Sequence, residues 1–137
     1  MGSGYRGYYN TIGAINRLKP QKLLIELKES GHKYNQDKVV MITKNYFGKL
    51  MWLEEGNNKS GLKHILLRHG NSFDSKTNIP LLIKKILQTK PIKRISRQEG
   101  KQLADVFLYE RDGKLYLIAY GYNGYIVSFY QVGKVAQ

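Results

Sequence analysis

Leu103 to Val132 reads LADVFLYERDGKLYLIAYGYNGYIVSFYQV, three runs rich in aromatic and β-branched residues. They are separated by Glu110-Arg111-Asp112-Gly113 and by Gly121-Tyr122-Asn123-Gly124. Asp-Gly and Asn-Gly adopt the left-handed backbone that tight hairpin turns demand, so the stretch predicts an antiparallel meander. Its strands are expected at Leu103 to Tyr109, Leu115 to Tyr120 and Tyr125 to Val132. Strict alternation along the last one puts Ile126, Ser128, Tyr130 and Val132 on one face, opposite Tyr125, Val127, Phe129 and Gln131.

Upstream of the meander the apolar period changes from two to that of a helix. Ile79 to Thr89 has Pro80 in its first turn and a stripe of Leu82, Ile83, Ile86 and Leu87. Ser60 is placed to cap a shorter helix that runs to His69 and stops at Gly70. Before it, Val39 to Ile42 and Leu50 to Leu53 read as strands around the turn residues Asn45 to Gly48, a second hairpin. Pro20 to Ser30 predicts a helix with the stripe Leu23, Leu24 and Leu27 and a stop at Gly31. His32, between Gly31 and Lys33, reads as a solvated or capping histidine. Residues 1 to 18, with their glycines and Tyr5, Tyr8 and Tyr9, read as an irregular lead-in, and 19 to 137 as one domain. The order predicts an α+β fold in which N-terminal helices pack on a small antiparallel sheet ending in a three-stranded meander.

With 137 residues the chain is long enough to bury roughly two-thirds of its unfolded surface around one core. It has no cysteine, so neither disulfides nor thiolate zinc sites support the fold. No apolar run reaches the length of a membrane span, and the first residues lack the apolar segment of a signal peptide. Lys and Arg number 23 against 10 Asp and Glu, a net charge of +13, which points to a polyanionic partner. Eleven tyrosines among those cations suit stacking on unpaired bases. Lys84 and Lys85, with Lys90, continue into Lys93, Arg94, Arg97 and Lys101, a tract able to follow a phosphate backbone or to form a solvated helix face and loop.

Chemistry concentrates in Ser60 to Asn71, SGLKHILLRHGN. A helical wheel sets Leu62, Ile65, Leu66 and His69 on one face and turns Lys63, His64 and Arg68 away from it, so the two histidines point differently. Histidines five residues apart are poor co-ligands for zinc, and the acidic clusters Glu54-Glu55 and Glu110 to Asp112 are thin provision for a hard cation. The glycine-rich phosphate loop and the serine nucleophile elbow are both missing. What the residues suit is metal-independent phosphodiester cleavage, in which an RNA 2′-hydroxyl attacks its neighbouring phosphate. Such a step needs a base, an acid and cationic or hydroxyl donors, roles open to His64 or His69, Lys63, Arg68, Ser128 and Tyr130.

Gly61 to His69, G-L-K-H-I-x-x-R-H, an intervening helix, and a meander ending N-G-Y-I-V-S-F-Y at Tyr130 together resemble the barnase, EndoU, colicin D and RelE-like (BECR) nuclease superfamily. The likeness is greatest to its bacterial polymorphic-toxin and contact-dependent inhibition branches, and it covers Ser60 to Val132. By likeness to colicin D, Lys63-His64 matches the lysine–histidine pair, and Ser128 and Tyr130 match the strand hydroxyl and aromatic. By likeness to EndoU, with a histidine at each end of H-I-x-x-R-H, His69 is an equal candidate beside His64. The resemblance implies an RNA-cleaving toxin domain, commonly attacking tRNA or other RNA, and no metal or cofactor is expected. It also implies delivery as the end of a larger effector into a target cell's cytoplasm, and neutralisation by an acidic immunity protein. Involvement of a host translation factor stays open. So do two other classes: a non-catalytic RNA- or ribosome-binding module, and a metal-dependent DNase toxin.

Overall fold

Glycine, asparagine and proline interrupt each periodic run within ten residues, so the chain folds as short helices between hairpins. The computed structural model describes residues 17–135. In chain order these form α1 (Gln21–Glu29), β1 (Val39–Lys44), β2 (Leu50–Glu54), α2 (Gly61–His69), α3 (Ile79–Leu87), β3 (Lys93–Glu99), β4 (Gln102–Arg111), β5 (Lys114–Tyr120) and β6 (Ile126–Lys134). Short 3₁₀ turns at Gln36–Lys38 and Gly70–Ser72 complete the order. The fold is α+β, with a two-stranded sheet β1-β2 and a four-stranded antiparallel sheet β3-β4-β5-β6.

The two hairpins and three helices fall where the turn and stripe residues put them. Asp112 at φ 53° and Gly113 at φ 80° make the left-handed pair that joins β4 to β5. Asn78 Oδ1 accepts from Leu81 N at 3.2 Å and Pro80 fills the first turn of α3. The apolar stripe of α3, including Ile79, Ile83, Ile86 and Leu87, packs with Tyr109, Tyr116, Ile118 and Phe129 of the larger sheet in the main core. Leu27 of α1 closes a smaller core over Val39, Ile42 and Trp52.

Three expectations change. The basic tract after α3, expected as loop, is the edge strand β3, so the meander has four strands. Its side chains are exposed on both sides, which erases the apolar alternation by which a strand is read. The final strand does not alternate throughout. Ile126 lies opposite Tyr120 and Ser128 opposite Ala119, so Val127 is an extra, bulged residue and Ile126 turns to the face opposite Ser128. Ser128 and Tyr130, opposite Ala119 and Leu117, do share a face. The α-helix ends at His69 with Gly70 as its C-cap, as read from the sequence, and the chain then passes into the 3₁₀ turn. Of the lead-in expected over residues 1–18, positions 1–16 lie outside the described residues; Leu18, only 1% exposed, belongs to the main core. Among the described residues no helix is long and apolar enough to cross a membrane.

The entry to α2 is set by glycine. Gly61 begins the helix at φ +85°, and a Cβ there would come within 2.9 Å of both the Glu54 carbonyl oxygen and Gly56 Cα. Backbone strain and contact together make Gly61→Ala lose about 3 kcal/mol of unfolding free energy. Gly113→Ala, at φ +80° with no atom within 4 Å, loses only about 1 kcal/mol. Urea denaturation of the two variants measures the difference, and equal losses would show that the β2–α2 junction is not close-packed.

Candidate functional site

Burial of Leu62 and Ile65 fixes the roll of α2 and leaves its histidines at the edge of the core. The Ser60 side chain, expected as a cap, makes no cap bond; its Oγ meets the Tyr125 hydroxyl at 2.9 Å instead. Lys63 N donates to the Glu55 carbonyl at 2.8 Å. The helix is thereby tied to β2 and to the start of β6 before its last turn reaches the site.

There α2, β6 and the tip of the β3–β4 hairpin enclose an open cleft of about 650 Å³. Lys59, His64, Arg68, His69, Glu99, Gly100, Lys101, Gln102 and Tyr130 line it. The fold does not split the histidines into two sites. Their rings stand edge to face with centroids 5.9 Å apart. His69 departs from helical geometry, at φ −130° and ψ 0°, so the ideal wheel no longer describes its direction. The His69 ring stacks on Tyr130 with centroids 4.5 Å apart and 24° between planes.

Hydrogen bonds hold the remaining parts. His64 Nδ1 lies 3.2 Å from the Asn58 carbonyl oxygen; a carbonyl only accepts, so Nδ1 carries the hydrogen and Nε2 is left to exchange protons. The Tyr130 hydroxyl donates to Glu99 Oε1 at 3.4 Å, and Gln102 Nε2 donates to the Lys59 carbonyl at 3.1 Å. The hairpin tip therefore rests against both β6 and the segment before α2.

Electrostatics separates the groups. Burial, then the His64 and Arg68 charges, hold the His69 imidazole below its usual 6.5. Burial, then the Glu99 charge and hydrogen bond, push the Tyr130 phenol up, so it keeps its proton at neutral pH. Lys59, Arg68 and Lys101 face one carboxylate, Glu99, among the described lining residues. A phosphodiester entering this cleft meets two proton carriers and an excess of cations.

Several expected site residues stand elsewhere. Ser128 has no exposed surface, and its Oγ finds no hydrogen-bond partner among the described residues; a phosphate in the cleft meets Tyr130 and not Ser128. Lys63 is exposed but is not among the lining residues. Of the basic tract, Lys101 alone lines the cleft. Lys84 Nζ bonds to the Arg17 carbonyl, and Lys85 is exposed on α3. Lys93 and Arg94 lie opposite consecutive residues, Leu108 and Phe107, and so face opposite sides of the sheet. Arg94 pairs with Asp105 at 3.7 Å, and Arg97 is exposed farther along β3. The tract is not one continuous track.

Glu99, Lys59 and Gln102 were not legible as site residues. The one local cue is Glu99-Gly100-Lys101, a turn sequence whose meaning depends on recognising β3 and β4 as a hairpin. Among the described residues no three His, Asp or Glu side chains gather as metal ligands would. No family model matches the chain, and no curated protein matches it.

Two outcomes follow from this geometry. Ser128→Ala removes a buried hydroxyl that lacks a partner, and is expected to raise the unfolding free energy by about 1 kcal/mol in urea denaturation; a loss of similar size would show the hydroxyl to be bonded. In an NMR titration His69 is expected to protonate below pH 6.5, and later still from that value than in the Arg68→Gln variant, whose His69 moves back toward it. Because the unfolded chain takes up this proton first, stability is complete above about pH 6.5 and declines as the pH falls through the folded value.

Proposed function

We propose that this chain is a metal-independent endoribonuclease domain of a bacterial toxin, with tRNA as the favoured substrate. The observation that carries the reading is the convergence of His64, His69 and Tyr130 with Lys59, Arg68 and Lys101 on one cleft. That set supplies a base, an acid and cations, which is what internal attack by a 2′-hydroxyl requires. The +13 charge and the likeness of Gly61 to His69 and of the final strand to toxin nucleases support it further.

In this scheme neutral His69 takes the proton from the 2′-hydroxyl, and the freed oxygen attacks the adjacent phosphorus. The bond from phosphorus to the 5′-oxygen breaks, and that oxygen receives a proton from His64, whose Nδ1 is engaged by Asn58 and whose Nε2 carries the transferable hydrogen. The products are a 2′,3′-cyclic phosphate and a 5′-hydroxyl. Arg68, Lys101 and Lys59 offset the charge gathering on the phosphate oxygens. Tyr130 is a positioning residue that holds the His69 ring by stacking. Ser128 has no part in this version. An acidic immunity protein covering the cationic cleft completes the reading, by the likeness to toxins and by charge complementarity.

The test is cleavage of total tRNA by purified protein in EDTA. Cleavage is expected to continue and to leave cyclic phosphate ends, while His69→Ala reduces the rate by about 10²- to 10⁴-fold. An RNA carrying a single 2′-deoxyribose at the cut position resists cleavage. Activity that EDTA abolishes overturns the metal-free scheme, and RNA left intact throughout leaves a binding module in place of an enzyme.

A further inference from the structure

The β1–β2 turn, residues 45–48, shows the solvent an aromatic pair that the core does not need. Tyr46 is 51% exposed and Phe47 64%, and their rings meet edge to face with centroids 5.2 Å apart. Both belong to a tightly built turn. Asn45, 7% exposed, accepts at Oδ1 from Phe47 N and from Lys49 N, each at 2.9 Å. Tyr46 N donates to the Leu87 carbonyl at 2.8 Å, which anchors the turn to the end of α3. A loop free to collapse would cover these rings; this one holds them out.

A third ring is brought to the same end of the molecule. Lys49 Nζ donates to the carbonyl of Tyr122, which is 87% exposed in the turn 121–124 ahead of β6. Trp52 N, on β2, donates to the Gly124 carbonyl at 3.0 Å, so the 121–124 turn is held against the β1–β2 hairpin at two points. The charges beside the rings include Lys49, bonded to the Tyr122 carbonyl, and Lys44, which pairs with Glu26 at 3.2 Å.

We propose that Tyr46, Phe47 and Tyr122 form a stacking platform for unpaired bases of the RNA that reaches the cleft. The ligand must offer flat apolar faces together with negative charge, and a single-stranded nucleic acid offers both at every residue. β6 joins platform to cleft: from Ile126, just past the 121–124 turn, to Tyr130 is about 13 Å of strand. This inference rests on RNA being the substrate, and it adds a second contact that selects single-stranded segments over duplex.

Fluorescence anisotropy with a labelled 2′-O-methyl oligonucleotide, unpaired and unable to react, tests binding independently of cleavage. Tyr46→Ala/Phe47→Ala and Tyr122→Ala are each expected to weaken binding about tenfold, with an unchanged salt slope because no charge is removed. Tyr122→Phe, which keeps the ring, is expected to bind as the parent does, and a 2′-O-methyl duplex to bind parent and variants alike. Matching thermal unfolding of the variants shows that they are folded. Undiminished single-strand affinity in the alanine variants overturns the platform while leaving the nuclease reading standing, as does an equal loss for duplex. If the parent protein binds neither oligonucleotide, the RNA reading falls and the platform with it.

Discussion

The contact between Trp52 and Tyr125 holds two separate sheets together and, through them, sets where the histidine-bearing helix lies. Trp52 has no exposed surface. It forms a parallel bridge to Tyr125, and the two rings pack edge to face at 6.0 Å. Its indole Nε1 donates to Glu54 Oε2 at 2.9 Å, and the same oxygen accepts from Asn35 N at 3.1 Å. A carboxylate at 9% exposure is tolerable because it is bonded twice. On the other side the Tyr125 hydroxyl meets Ser60, where α2 begins. The site's geometry is thus inherited from a polar and aromatic seam and not from the main core alone.

The second constraint is the reach of the β3–β4 hairpin. Pairing of β4 with β5 starts only at Asp105 opposite Tyr120, so residues 102–104 run beyond the sheet with the facing end of β3. Two irregularities in the β3–β4 register, between Arg94 and Gln98, increase the local twist leading into this overhang. Its tip comes down on α2 and β6, where Glu99 meets Tyr130 and Gln102 meets the Lys59 carbonyl. A cleft arises because one hairpin is longer than its neighbour.

This division explains what could be read in advance. The hairpins, the helix stripes and the α+β class were legible because each is written in neighbouring residues: Asp112-Gly113, Asn78 with Pro80, and the spacing of Leu62 and Ile65. β3 was not, since a two-sided exposed edge strand rich in lysine and arginine carries no apolar period. The turn of Ile126 away from Ser128 depends on one bulged residue, Val127, which pairing with β5 creates. His64, His69, Arg68 and Tyr130 could be named from residue chemistry. Their union could not, because Glu99 reaches Tyr130 across 31 residues and Gln102 reaches Lys59 across 43. Ser128 shows the opposite failure: its place on the face of Tyr130 was legible, but not its burial.

The charges of the cleft also bear on when His69 acts. Burial, and then the charge of His64, whose ring stands 5.9 Å away, disfavour a proton on His69. Arg68 adds to that effect, so in the free cleft the proton is disfavoured there, which suits the base role proposed for the ring. A phosphodiester reverses part of the balance. Its negative charge, placed among Arg68, Lys59 and Lys101, offsets the cations that repel a proton from His69. In the proposed reaction, substrate entry would therefore make the transfer from the 2′-hydroxyl to His69 more favourable, while stacking on Tyr130 would keep the ring in place as its charge changes. On the proposed reading, the same lining that disfavours a proton on His69 before binding would strengthen it as a base once the anion has arrived.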